Sequence, residues 1–247
     1  MDETMQFIKV KTRVMVPPKD DLYAAMDAAM PKLHEGDIVL ITSKVVSIHQ
    51  GRCVPVAQVL DKNALIIKEA EQYIPIAKTS NPWGVILTIK QHTLIPTSGI
   101  DESNANGHYI LWPRKINETA REIGQHLRKK YRVKKLGVII TDSHTVPMRW
   151  GTIGVSIGFW GFNPLKDYRG AKDIFGRKLK FTQANIPDAL SALAVMLMGE
   201  GNERVPIVIA RNVPGIRFSP RSYYRSFVIN PTMDLYAPLL KVFKKKR

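Results

Sequence analysis

The sequence predicts an α+β fold of mixed and antiparallel sheets with packed helices. Strand-like and helix-like segments mix along the chain without the strict alternation that a wholly parallel sheet requires. The runs GDIVLITSKVVSI (36–48) and LGVIIT (136–141) are largely apolar on successive residues, as buried central strands are. Residues 116–131 instead carry their apolar residues at helical spacing.

Residues 6–16, QFIKVKTRVMV, alternate as a strand, and Pro17-Pro18 end it. Asp20-Asp21 caps the next helix, DDLYAAMDAAM, which Pro31 stops. The whole of 36–48 reads as one strand, residues 61–73 as a helix, and WGVILTIKQHTLI (83–95) as strand again. Ile116, Ala120, Ile123, Leu127 and Tyr131 form a helical stripe with basic residues on the other faces. After the strand at 136–141, GTIGVSIGFWG has glycines at 151, 154, 158 and 161, a spacing unlike the dinucleotide fingerprint. These glycines fit close backbone packing or bulges. Asn185-Ile-Pro-Asp opens a helix with Pro187 near its first position, and Gly199 closes it. VPIVIA (205–210) is a further strand, followed by an Arg/Tyr-rich tail.

At 247 residues, with 45% apolar and 23% charged residues, the chain can bury a substantial core. The reading is one unit over 1–247, with room for two intimately packed subdomains, and a basic tail at 241–247. The single cysteine, Cys53, excludes a disulfide framework and a multi-cysteine zinc site. The N-terminus lacks the build of a signal peptide, and the apolar run Ala189–Met198 is too short to span a bilayer, so a cytoplasmic protein is expected. The net charge of +16, from 37 Lys+Arg against 21 Asp+Glu, favours a polyanionic partner. It clusters in RKINETAREIGQHLRKKYRVKK (114–135) and the closing KVFKKKR, which are equally a solvated helix face and a frayed tail.

Three acidic positions lie in turn-like contexts. TSGIDESNANG (97–107) offers Asp101, Glu102 and Asn104; Asp142 ends the strand LGVIIT; Glu200 lies in MGEGNERVP beyond a helix C-terminus, where the macrodipole favours positive charge. Magnesium and manganese are held by one or two carboxylates each, with phosphate oxygens completing the shell, so three converging carboxylates suit a two-metal nucleotide site. An Asp or Asn after a strand is also an ordinary turn residue. The six histidines show no ligand spacing, and only His144, beside Asp142, invites a role. Cys53 reads as inert, and Trp150, Trp160 and Phe159 as core. Spacing alone leaves the function open.

GDIVLITSKVVSIHQGR, SGIDESNANG, GVIITDS, RWGTIGVSIGFWGFNPLKDYRGAKDIFGRKL and LMGEGNERVPIVIAR together resemble the coenzyme F-420-0:L-glutamate ligases. The resemblance covers most of the chain and is weakest at 55–80 and after 212. It implies an F-420 gamma-glutamyl ligase-like fold, a homodimer, and an acid–amino-acid ligase that uses GTP (or ATP) with two divalent cations, Mg or Mn. On it, Asp101 and Asp142 look like ligands of one metal, and Ser143 with Glu200 like ligands of a second. Asn104 looks like a nucleotide contact, and the loop Met198, Gly199, Glu200, Gly201, Asn202, Glu203, Arg204 and Val205 like the segment that wraps the nucleotide. Ser43, Lys44 and the stretch Arg13, Val14, Met15 and Val16 match further nucleotide-contacting positions.

The implied chemistry moves a terminal phosphoryl group onto an acceptor carboxylate, and the amine of L-glutamate attacks the acyl phosphate. Arg149 and Arg169 are candidates for gripping phosphate or carboxylate. The sequence departs from the family pattern at His144 to Met148, at Ile48, where the family has a lysine, and at Pro187-Asp188-Ala189. The acceptor is therefore read broadly, as the deazaflavin coenzyme or as a glutamate-rich peptide or protein. The reading of another class is a non-catalytic RNA- or ribosome-binding protein, disfavoured because Asp101, Asp142 and Glu200 are all present.

Overall fold

The computed structural model describes residues 4–75 and 82–245. Its central sheet takes the order β1-β12-β2-β8-β9, formed by β1 (Gln6–Val10), β2 (Asp37–Thr42), β8 (Leu136–Thr145), β9 (Thr152–Trp160) and β12 (Ile207–Arg211). Only β2 and β8 run parallel; every other pairing in this sheet is antiparallel. The apolar runs of β2 and β8 have a direct cause in this arrangement. Val39, Ile41, Val138 and Ile140 point into one core, while Ile38, Leu40 and Ile139 point into a second on the opposite face. Each such fully buried side chain contributes about 1.5–3 kcal/mol.

The first core is covered by α1 (Leu22–Ala29), α2 (Ser43–His49) and α4 (Ile116–Tyr131), through residues that include Leu22, Val46, Ile116, Ile123 and Leu127. The second is covered by α5 (Ile186–Met198), through Leu190, Ala194 and Val195. The caps follow the sequence: Asp21 accepts from the amides of Tyr23 and Ala24, and Asn185 from that of Asp188. The mixed α+β architecture is the one expected.

A smaller layer joins β3 (Cys53–Pro55), α3 (Lys62–Glu69), β4 (Gln72–Tyr73), β5 (Leu87–Lys90), β6 (Thr93–Pro96), β7 (His108–Ile110) and β13 (Lys244–Lys245). Its core gathers Ile66, Ile86, Ile100, Tyr109 and Leu111. Here a charged cluster is built in: Glu69 Oε2 lies 2.8 Å from both Arg52 Nη2 and Lys90 Nζ. β10 (Leu165–Asp167) and β11 (Gln183–Asn185) form a separate, largely exposed two-stranded ribbon, and the short α6 (Tyr224–Phe227) and α7 (Ala237–Leu240) lie toward the C-terminus.

Several expectations need correction. The strand expected over 6–16 ends at Val10, because the Thr12 amide donates instead to the Arg204 carbonyl at 3.1 Å. The single strand expected over 36–48 is strand β2 followed by helix α2. A continuous apolar run does not distinguish the two, and the spacing of Val45, Val46 and Ile48 also fits a buried helix face. The strand over 83–95 is a hairpin whose turn residues, Gln91 and His92, both have positive φ without a glycine to announce it. The helix over 61–73 stops at Glu69 and gives way to β4. Trp160 and Phe159 are core, but Trp150 is 91% exposed at the β8–β9 turn, edge-on to Trp83 at 6.0 Å between centroids. Of the basic tail, residues 246–247 lie outside the described residues.

Gly154 shows why β9 is glycine-rich. A Cβ there would collide with the Ser191 carbonyl of α5, so the absent side chain sets how closely the helix lies on the strand. Gly154→Ala is expected to cost about 1–3 kcal/mol by overpacking, read as a lower denaturant midpoint with an unchanged m-value.

Candidate functional site

The parallel pairing of β2 with β8 ends at Thr42 and Thr141, where β2 stops and β8 runs on against β9 to Thr145, past the strand end expected at residue 141. Ser43 and Asp142, the next residues of each, therefore emerge together at one edge of the sheet. Here the chain forms a cleft of about 770 Å³, walled by segment 12–17, loop 101–106 and loop 198–206. The walls are tied to the sheet: the Thr42 amide donates to the Pro206 carbonyl at 3.0 Å, and Asn104 Nδ2 to the Gly201 carbonyl at 2.8 Å.

Asp142 lies on the floor. Its Oδ1 accepts from Ser43 Oγ at 3.2 Å, and its Oδ2 from the indole N–H of Trp112. Burial pushes its carboxyl up to about 6, and the neighbouring charge of Asp101 adds to the rise against the Trp112, Ser143 and Ser43 donors. Asp101 faces the same burial cost, but Lys44 Nζ at 2.7 Å and two donors from Ser103 outweigh it and hold the carboxyl below its ordinary value. Ser143 Oγ reaches Glu200 Oε2 at 3.5 Å, and Thr152 Oγ1 reaches Glu200 Oε1 at 3.3 Å. His144 is half-buried, and burial lowers its ring below the ordinary value.

The cationic groups on the walls differ in availability. Both ends of the Arg13 guanidinium are taken by Asp20 at 2.7 Å, so Arg13 stiffens its segment and leaves backbone and the exposed side chains of Val14 and Val16 toward the cleft. Lys44 bridges Asp101 and the Ser103 carbonyl, the latter at 2.8 Å. In the 198–205 loop, Glu203 Oε2 accepts from the Gly201 amide at 2.9 Å.

Among the described residues no group of three or more His, Cys, Asp or Glu forms a metal cage. The donors are oxygens in two small sets: Asp101 with Asp142, and Ser143 with Glu200. That is the chemistry of a hard cation that takes one or two carboxylates and completes its shell from phosphate. The donor set fits such a cation, which would relieve the repulsion between Asp101 and Asp142.

The sequence profile described as F420-0:Gamma-glutamyl ligase matches residues 9–212. The chain belongs to this family. Among relatives of the F420-0:gamma-glutamyl ligase family, the coenzyme F420:L-glutamate ligase of Methanopyrus kandleri is 32% identical, over 94% of this chain and 98% of its own. Its namesakes from Methanococcus maripaludis and Methanocaldococcus jannaschii are each 33% identical, over 85% and 74% of this chain and 89% and 78% of theirs.

In this family member the expected site residues divide cleanly. Asp101, Asn104, Asp142, Ser143 and Glu200 line the cleft, as do 13–16, Lys44 and the whole loop 198–205. Ser43 is buried behind the wall and reaches the cleft through Asp142. Arg149 and Arg169 do not line it. Arg149 is exposed beyond β8 and bonds the adjacent Met148 carbonyl, while Arg169 on the β10–β11 ribbon is held by Asp167 at 2.6–3.0 Å. Ile48, singled out as a departure, is on the wall. Trp112 and Thr152, which touch Asp142 and Glu200, carried no motif that would have found them.

Proposed function

We propose that the chain is an L-glutamate ligase that extends an acidic acceptor, the deazaflavin coenzyme F420, at the expense of GTP. The observation that carries this reading is the convergence of Asp101, Asp142 and Glu200, from two loops and strand β8 far apart in sequence, on one cleft walled by Lys44 and the 198–205 loop. The relatives named as F420:L-glutamate ligases supply the acceptor and the amino acid.

An acceptor carboxylate oxygen attacks the terminal phosphorus, the bond to the bridging oxygen breaks, and nucleoside diphosphate leaves. The glutamate amine then attacks the acyl carbon, forms the C–N bond, loses a proton and expels phosphate. Divalent cations, held by Asp101 with Asp142 and by Ser143 with Glu200, would neutralise charge on the phosphoryl oxygens. The carboxylates themselves move no proton. Asn104 fixes the 198–205 loop against the 101–106 loop, and Lys44, held by Asp101 and Ser103, sets a fixed positive charge on the cleft wall. Val14 and Val16 offer apolar surface to a planar ring. The exposed Ile174, Phe175 and Phe181 between β10 and β11 support a homodimer. No helix among the described residues is long and apolar enough to cross a membrane.

The test is incubation with GTP or ATP, Mg²⁺ or Mn²⁺, L-glutamate and F420-0, read by mass spectrometry. The expected result is an acceptor heavier by glutamate steps, with one nucleoside diphosphate released per step. Glutamate ladders formed without deazaflavin would move the acceptor to polyglutamate or a glutamate-rich protein. Unchanged acceptor and nucleotide would reject the ligase reading.

A further inference from the structure

Trp112 is 1% exposed and held on several sides, yet the one polar atom of its side chain is spent on Asp142 of the cleft. Its carbonyl accepts from Arg52 Nε at 3.1 Å, and Lys90 Nζ lies 5.6 Å from its ring centroid. Gly99, at φ +68, lies so close to the indole nitrogen and the atoms beside it that no Cβ fits there. A ring clamped in this way cannot swing to follow a moving partner. Its N–H meets Asp142 Oδ2, which leaves Oδ1, shared with Ser43 Oγ, as the other face of the carboxylate.

We propose that Trp112 is a positioning residue: its fixed indole N–H pins one oxygen of Asp142 and so sets the rotation of the carboxylate that would hold a divalent cation. The inference rests on the ligase reading, because it takes Asp142 as a cation ligand. Its physical basis is general. Partners that orient a ligating carboxylate fix its rotation before the ion arrives, and their loss costs about 10–100-fold in metal affinity or activity. The burial of Trp112 also explains why an indole serves better than a hydroxyl here. It has one donor and no acceptor, so it cannot turn and offer a lone pair to the carboxylate.

The experiment is a Mn²⁺ titration of the full chain, with free Mn²⁺ read by electron paramagnetic resonance and thermal melts alongside. Wild type, Asp142→Ala and Trp112→Phe are compared. Trp112→Phe is expected to weaken Mn²⁺ binding by about tenfold or more while Asp142→Ala removes the site. Wild-type Mn²⁺ affinity in Trp112→Phe overturns the positioning role and leaves the ligase reading standing. Wild-type affinity in Asp142→Ala overturns the site assignment beneath it. Should Trp112→Phe fail to fold, the wild-type indole N–H resonances carry the test. Added Mg²⁺ is expected to move one of them, and Asp142→Asn to abolish that response; an indole spectrum indifferent to Mg²⁺ overturns the inference.

Discussion

Asp142→Asn is expected to abolish glutamate ligation while making the metal-free protein more stable at pH 8. The catalytic loss should be about 10²–10³-fold or more in kcat/KM, the range seen when one fixed electrostatic partner of a transition state is removed. The gain in stability has the same origin. In the folded chain the carboxyl titrates at about 6, above its ordinary 3.8, because burial and Asp101 oppose its ionisation. A carboxyl raised by folding contributes stability that is fully present below pH 3.8 and lost as pH rises through 6. The gap corresponds to at most about 3 kcal/mol. Asparagine keeps an acceptor for Trp112 and carries no charge to bury. Metal-free melts of the two proteins should therefore coincide near pH 3.5 and separate by pH 8, with the variant higher. Mn²⁺ should raise the wild type at pH 8 by more than it raises the variant, which keeps the Ser143–Glu200 oxygens. A variant that ligates glutamate at the wild-type rate would remove Asp142 from the chemistry.

The largest loss of stability is expected from Glu69→Gln. Lys90 is 8% exposed and Glu69 16%, so removing the carboxylate strands a buried ammonium beside Arg52. Breaking such a pair costs about 3–5 kcal/mol. Burial pushes the Glu69 carboxyl up, but Lys90 and Arg52 together outweigh it and hold it below its ordinary 4.5. A carboxyl lowered by folding stabilises above its ordinary value and loses that contribution as pH falls through the folded one. Wild type should thus lose stability on acidification below pH 4.5, while Glu69→Gln starts lower at pH 7 and loses less over the same range. Replacing Glu69 and Lys90 together by methionine should recover the part of the loss that comes from the stranded ammonium, and not the part that comes from Arg52, which still lacks its carboxylate. Urea melts at pH 7 and pH 3.5 measure all three proteins.

What the residues disclose beforehand depends on whether the information is local. The α4 stripe and the caps at Asp21 and Asn185 are local patterns, and they appear where expected. The run 36–48 fails for a physical reason: β2 is buried on both faces and α2 is nearly so, and continuous burial erases the period that separates strand from helix. The hairpin at 87–96 is hidden because Gln91 and His92 take left-handed backbone that glycine or asparagine would have advertised. The site divides the same way. Asp101, Asp142 and Glu200 are legible as candidates, although Asp142, expected to end its strand in a turn, lies within β8, which runs on to Thr145. The Trp112 contact joins residues 30 apart in sequence across two layers, and no local pattern encodes it.

The strand order has a temporal consequence. Only β8 and β9 are sequence neighbours in the central sheet, whereas β12 must insert between β1 and β2, bringing Arg211 opposite Gln6. Contacts so distant along the chain incur loop-closure entropy before they repay it, so this sheet belongs with the slow-folding, high-contact-order topologies. Segment 12–17 leans on loop 198–206 through the Thr12–Arg204 bond, and that loop leads directly into β12. The cleft is therefore among the last features a growing chain can complete. A polypeptide still short of β12 carries Asp101 and Asp142 but lacks the strand that joins β1, and with it segment 12–17, to the rest of the sheet.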